Sequence, residues 1–196
     1  MTLRRVLPMM VLLLAAAGCG NEAGEALPAS PTASPSPSPT ETGVPGLPPR
    51  PVAVPLGGVD PCTVLTPEQL AQFGLDSDPG RDFQPSEDNA ETCTYRNDDT
   101  RAGARVIPSI ANGIGVWLDG TRGGVASHIK VAGFRGVEIR DESLDPPYCA
   151  VAVDVADGQQ LIVASSPSFT EPAPIDEQCA SAVMYAEAAM QTLVAR

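Results

Sequence analysis

The chain has 196 residues, with 24 acidic against 12 basic side chains and a formal charge of −12 at pH 7. So acidic a surface repels phosphate backbones and anionic headgroups, which excludes nucleic acid as a partner and a basic patch as a membrane anchor. The 21 prolines show that part of the length is not material for a packed core.

Met1–Arg5 is basic through Arg4 and Arg5, and Val6–Ala17 is apolar apart from Pro8. A basic start, a short apolar run and small residues before a cut describe a signal peptide, here residues 1–18. The run is shorter than the roughly 20 apolar residues that cross a hydrocarbon core. Leu14-Ala15-Ala16-Ala17-Gly18-Cys19 resembles a lipobox, in which small residues precede a cysteine whose thiol accepts a diacylglyceryl group; Ala16 stands where leucine is usual. Five cysteines are an odd set, and removing Cys19 leaves four that can pair. The expectation is therefore a lipoprotein acylated (palmitate-type chains) at Cys19. Its partner is the membrane, reached through that lipid, and it stands on the extracytoplasmic face of the cell membrane. Without Arg4 and Arg5 the basic residues fall to 10 against 24 acids, a formal charge of −14. Lys130 is the one lysine among the 12 basic residues, and alanine, glycine, proline and valine are abundant. That bias reflects a GC-rich coding sequence and points to an actinobacterial source.

Residues 19–55 carry the lipidated cysteine and a low-complexity segment centred on Ala29-Ser30-Pro31-Thr32-Ala33-Ser34-Pro35-Ser36-Pro37-Ser38-Pro39-Thr40. Proline fixes φ and removes donors, so extended polyproline conformers replace helix and sheet, and too few apolar groups offset the entropy of ordering. Fully extended, such a tether reaches about 110 Å. Its Ser and Thr content also suits an O-glycosylated stalk.

Residues 56–196 are expected to form a single domain large enough for one core. Thr66-Pro67-Glu68-Gln69 is a helix start with a capping residue, proline at the first helical position and a capping-box glutamine. Leu65, Leu70 and Phe73 supply its apolar side and Gly74 its stop. An acidic loop follows. Strand character then appears over 92–96, 105–110, 115–119, 136–140, 149–156 and 160–165. Val151, Val153 and Val155 alternate with Ala152 and Asp154, the period of a strand with one wet face. Asp157-Gly158 is a hairpin signal, and 176–194 is the longest helix, with Cys179, Val183, Ala186, Met190 and Leu193 on one stripe. Strands bracketed by helices predict an α+β domain: an antiparallel sheet with a short N-terminal helix and a long C-terminal helix packed on it.

Cys62, Cys93, Cys149 and Cys179 permit three pairings, among which spacing does not choose. The favoured one is sequential, Cys62–Cys93 and Cys149–Cys179. It closes two loops of similar size, each worth about 3–4 kcal/mol by chain entropy. No CxxC pair exists and His128 is the one histidine, so bridges rather than zinc are expected, with no cofactor.

Asp60-Pro61-Cys62-Thr63-Val64-Leu65-Thr66 with Leu70 and Gly74, then Cys93-Thr94-Tyr95, Cys149-Ala150-Val151-Ala152-Val153 and Cys179-Ala180, resembles an actinobacterial lipoprotein family, the domain of unknown function 3558. The resemblance covers nearly all of 56–196; Val64 stands where leucine is common. It implies an envelope location, paired cysteines and an α+β domain related to the Mog1/PsbP-like sandwich, and no enzyme activity.

No catalytic residue is singled out. Ser127 precedes His128, but adjacent side chains rarely face each other and no G-x-S-x-G elbow surrounds a serine. Nothing among the many acids selects a glycosidase pair. Asp76–Asp82 fails as a calcium loop, because Gly80 and Arg81 occupy its fifth and sixth positions. Glu87-Asp88-Asn89 and Asn97-Asp98-Asp99 could converge around Cys93 as an oxygen-rich site. Trp117, expected on a strand, belongs to the core or, if exposed, marks a pocket or partner surface. Three functions follow in order. The first is a non-enzymatic envelope lipoprotein that displays a binding domain for a protein, wall or small ligand. The second is a lipid or metabolite binder with an apolar pocket under the last helix, and the third a hydrolase.

Overall fold

The computed structural model describes residues 49–168, 170 and 172–196. The expected signal peptide, Cys19 and most of the expected tether lie outside them. Within the described chain the elements run α1 (Pro67–Phe73), β1 (Gly80–Gln84), β2 (Ala90–Arg96), β3 (Gly103–Ser109), α2 (Gly115–Leu118), β4 (Val125–Val131), β5 (Phe134–Asp141), β6 (Tyr148–Ala156), β7 (Gln159–Ser166) and α3 (Ile175–Val194). This is the expected α+β architecture. The seven strands form one sheet in the order β1-β2-β3-β7-β6-β5-β4, each neighbouring pair antiparallel. Two meanders, β1–β3 and β4–β7, are thus joined through the last strand of each. No described helix is long and apolar enough to cross a membrane.

Local sequence accounts for the first helix as expected. The Thr66 hydroxyl accepts from the Gln69 amide at 3.3 Å, and the Gln69 carboxamide oxygen accepts from the Thr66 amide at 2.8 Å. Gly74 ends it at φ 64°, a left-handed conformation that costs glycine little. Gln69 also donates to the Ala188 carbonyl, and Phe73 meets Tyr185 edge to face at 5.2 Å, so α1 is tied to α3.

α3 covers one face of the sheet. Val151, Val153, Val155, Leu161 and Val163 point to it and pack with Ala182, Ala186, Ala189 and Met190. Small residues on α3 let the helix sit close to the valines, so the layer between is filled. Both bridges follow the favoured pairing, Cys62–Cys93 and Cys149–Cys179, with Cα atoms 5.1 and 5.2 Å apart. The second fastens the start of α3 to β6, as expected.

Several expectations are corrected. Of the expected strand 115–119, Gly115–Leu118 form a short helix instead, because this segment belongs to a connection and not to a ladder. β6 has no wet face: Ala150 and Ala152 are as buried as the valines, and Asp154 is 4 % exposed. The cause is topology. β3 pairs with β7, while β4 lies at the far edge beyond β7, β6 and β5. Residues 110–124 must therefore cross about 19 Å of sheet, and they do so over the face opposite α3. Ile114, Trp117 and Leu118 cover Ile107, Val137, Ile139, Ala150, Ala152, Ile162 and Ala164 there. β1 and β4, unforeseen in sequence, are the two edge strands and are largely exposed.

The packed chain also begins before Leu56. Arg50 pairs with Asp154 at 2.8 Å and with Asp157, and the Val54 amide donates to the Val155 carbonyl at 2.7 Å. Arg135 meets the other oxygen of Asp154, so this buried carboxylate sits between two guanidinium groups.

Candidate functional site

The face crossed by residues 110–124 is covered only in part. Side chains alternate along each strand, so Arg105 and Ile107 of β3, Ala164 of β7, Tyr148 of β6 and Ile139 and Asp141 of β5 share this face. Alanine and glycine at 103, 150, 152 and 164 leave room above the sheet. The result is a cleft of about 320 Å³ between the crossing segment and the 142–147 loop. Ile107, Ile139 and Ala164 form its floor, Trp117, Leu144 and Tyr148 its walls, and Arg105, Asp141 and Gln84 its polar rim. An apolar hollow with a few placed polar groups is the usual form of a small-molecule site.

The tryptophan wall is fixed in place. Trp117 Nε1 donates to Gln160 Oε1 at 2.8 Å, and the Arg122 guanidinium lies 4.6 Å from the ring centroid. Arg122 in turn pairs with Glu87, which is 2 % exposed and also accepts from the Ser109 hydroxyl at 2.6 Å. A cation over the indole and a buried carboxylate behind it thus pin the crossing segment to the β1–β2 connection.

The opposite side is less satisfied. Arg105 Nη2 reaches the Phe83 carbonyl and the Thr92 hydroxyl only at 3.4 Å, and the exposed Asp82 at 3.7 Å. Arg105 Nε and Gln160 Nε2 are buried with no acceptor among the described residues. Each such orphan costs about 1–3 kcal/mol, so this region is not arranged for stability alone. Burial raises the Tyr148 hydroxyl to about 12, a shift that Arg105 opposes and Glu87 reinforces. Tyr148 therefore presents a neutral O–H at physiological pH.

The chain matches the family described as "Protein of unknown function (DUF3558)" over residues 14–192. It belongs to that family. No curated protein and no solved structure matches. In this DUF3558 chain the cysteines at 62, 93, 149 and 179 are all consumed in bridges. Cys19 lies outside the described residues. Ser127 and His128 sit on β4 facing opposite sides of the sheet, because His128 pairs with Val137 and Ser127 with Glu138. The convergence of 87–89 with 97–99, weighed from sequence against solvated loops, does not occur. Those segments flank β2 at its two ends, about 20 Å apart, and the Glu87 carboxylate is already engaged by Arg122 and Ser109. The alternative weighed from sequence, an apolar pocket under the last helix, is not the cleft described above; where α3 crosses the centre of the sheet, the facing side chains are packed together. Apolar space instead lies beside the last turn of α3, in a groove of about 390 Å³ lined by Pro51, Val52, Ala132, Phe134, Met190 and Val194, with no charged group to orient a ligand.

Sequence reasoning singled out Trp117 and missed Arg105, Tyr148 and Leu144. The one available signal was the alanine alternation of β6, which marks a face with space above it.

Proposed function

We propose that this protein is a non-enzymatic envelope lipoprotein whose tethered domain binds a small ligand with an apolar body in the Trp117–Tyr148 cleft. The observation that carries the reading is a hollow floored by aliphatic side chains and walled by the one tryptophan of the chain. Among the readings weighed from sequence this favours small-ligand binding, moved from beneath α3 to the opposite face. The lipobox at Cys19 supports attachment to the outer surface of the cytoplasmic membrane, with the Pro-rich segment as spacer.

The cleft is tested with the neutral probe N-phenyl-1-naphthylamine. Titration quenches Trp117 emission by energy transfer, and Leu144→Ala, at a wall residue 51 % exposed, weakens binding severalfold without loss of fold. A probe that leaves Trp117 emission unchanged refutes the cleft. Anchoring is tested separately: Cys19→Ser releases the protein into the medium, and retention of this variant in the membrane fraction refutes lipidation.

A further inference from the structure

The acidic residues of this chain outnumber the basic ones two to one, at 24 to 12, so a surface arginine would ordinarily find a carboxylate. Two neighbouring arginines on the cleft face are poorly matched. Arg105 has only the loose contact to Asp82 described above. Arg96 forms no ion pair among the described residues, and its Nε, like that of Arg105, is buried without an acceptor. Thr94 pairs with Arg105 and Arg96 with Gly103, which places Arg96 one diagonal step from Arg105 on the same face, about 7 Å away. Gly103 stands directly opposite Arg96, two residues before Arg105 and on the side away from the cleft. A Cβ there would lie 1.9 Å from the Tyr95 carbonyl oxygen, so no other residue fits. Arg105 at the rim of an apolar hollow, with Arg96 as a second cation beyond it, forms the complement of a molecule that is apolar at one end and anionic at the other.

We propose that the cleft takes a free amphiphile with one anionic head, its body between Trp117 and Tyr148 and its carboxylate, sulfonate or phosphate head on Arg105, with Arg96 as the second cation. This rests on the cleft reading above and adds the ligand's charge. The source is a monomeric amphiphile instead of a bilayer lipid, because the net acidic domain is repelled by an anionic bilayer surface.

The test compares N-phenyl-1-naphthylamine with its 8-sulfonate, the same skeleton with and without an anion, each read by quenching of Trp117. The sulfonate binds about tenfold tighter than the neutral probe, as one charge-assisted hydrogen-bonded pair allows. Arg105→Gln brings the two to parity, its loss falling far more on the sulfonate than on the neutral probe. Arg96→Gln costs the sulfonate about two- to threefold. Raising sodium chloride from about 50 to 500 mM weakens the sulfonate alone, a readout that needs no variant. Should Arg105→Gln fail to fold, Arg105→Lys retains most of the preference. Equal binding of the two probes, or sulfonate binding untouched by Arg105→Gln, overturns the anionic head while the cleft stands. Failure of both probes to quench Trp117 removes the cleft as well. Phosphatidylglycerol vesicles leave Trp117 unchanged, and a response to vesicles with none to the soluble sulfonate overturns the monomeric source.

Discussion

Arg122 shows how one side chain links stability to the site. Its guanidinium neutralises the buried Glu87 and covers the face of Trp117. Arg122→Ala leaves Glu87 with the Ser109 hydroxyl and the edge of Asn112 only. Urea denaturation is expected to show a loss of about 2–3 kcal/mol, below the full cost of breaking a buried pair because Ser109 still donates. Glu87→Gln removes the charge together with its need for a partner and costs less, about 1 kcal/mol. An equal loss in both variants would mean that the ion pair is not what holds the crossing segment. Arg105 at the cleft rim and Arg96 beyond it stand in contrast: their counterions are weak or absent, and their loss is expected in binding instead of in stability.

Among the elements, the strap at Arg50–Pro55 is the least expected and the most open to measurement. Proline-rich sequence runs up to the domain, yet Arg50 supplies one of two cations to Asp154, and Val54 bonds to the outer end of β6. A domain beginning at Leu56 keeps Arg135 against Asp154 but loses Arg50. It is expected to unfold at lower urea than one beginning at Pro49, by about 2–4 kcal/mol, from an incompletely compensated buried carboxylate and lost backbone pairing. Identical midpoints would return the boundary to Leu56. The elements that sequence identified correctly were those with self-contained signals: the capping box of α1, the Asp157-Gly158 turn and the apolar stripe of α3. The missed strands β1 and β4 are edge strands, whose polar, exposed residues lack the apolar alternation by which a strand is recognised. Residues 115–119 were read as a strand because Val116, Trp117 and Leu118 are apolar and adjacent, a run too short for period to discriminate.

For the whole molecule, all three tyrosines are buried or half-buried, and burial raises each hydroxyl: Tyr95 to about 12, Tyr148 to about 12, and Tyr185 in the same direction. The folded state therefore holds protons that the unfolded state releases at the ordinary tyrosine value of about 10. This stabilisation is complete below about pH 10 and is lost as pH rises toward about 12. Absorbance at 295 nm is expected to stay flat through pH 10 and then rise steeply, together with loss of near-ultraviolet circular dichroism. A gradual rise centred near pH 10 with the fold intact would show that these hydroxyls are open to solvent.

The sequence by itself determined the fold class, the cysteine set and the C-terminal helix, since each is written in local spacing or in the chemistry of single residues. It also carried the Pro-rich segment and the lipobox-like run before Cys19 on which the proposed location rests. What it could not contain was the order of strands. Pairing β3 with β7 sends the β3–β4 connection across the sheet, buries the alanine face of β6 and lays Trp117 over it. The same order brings Arg105 of β3 beside Tyr148 of β6, two strands distant in sequence. Register between remote strands is settled by the burial of both faces at once, a property of the assembled sheet that no local window of residues encodes.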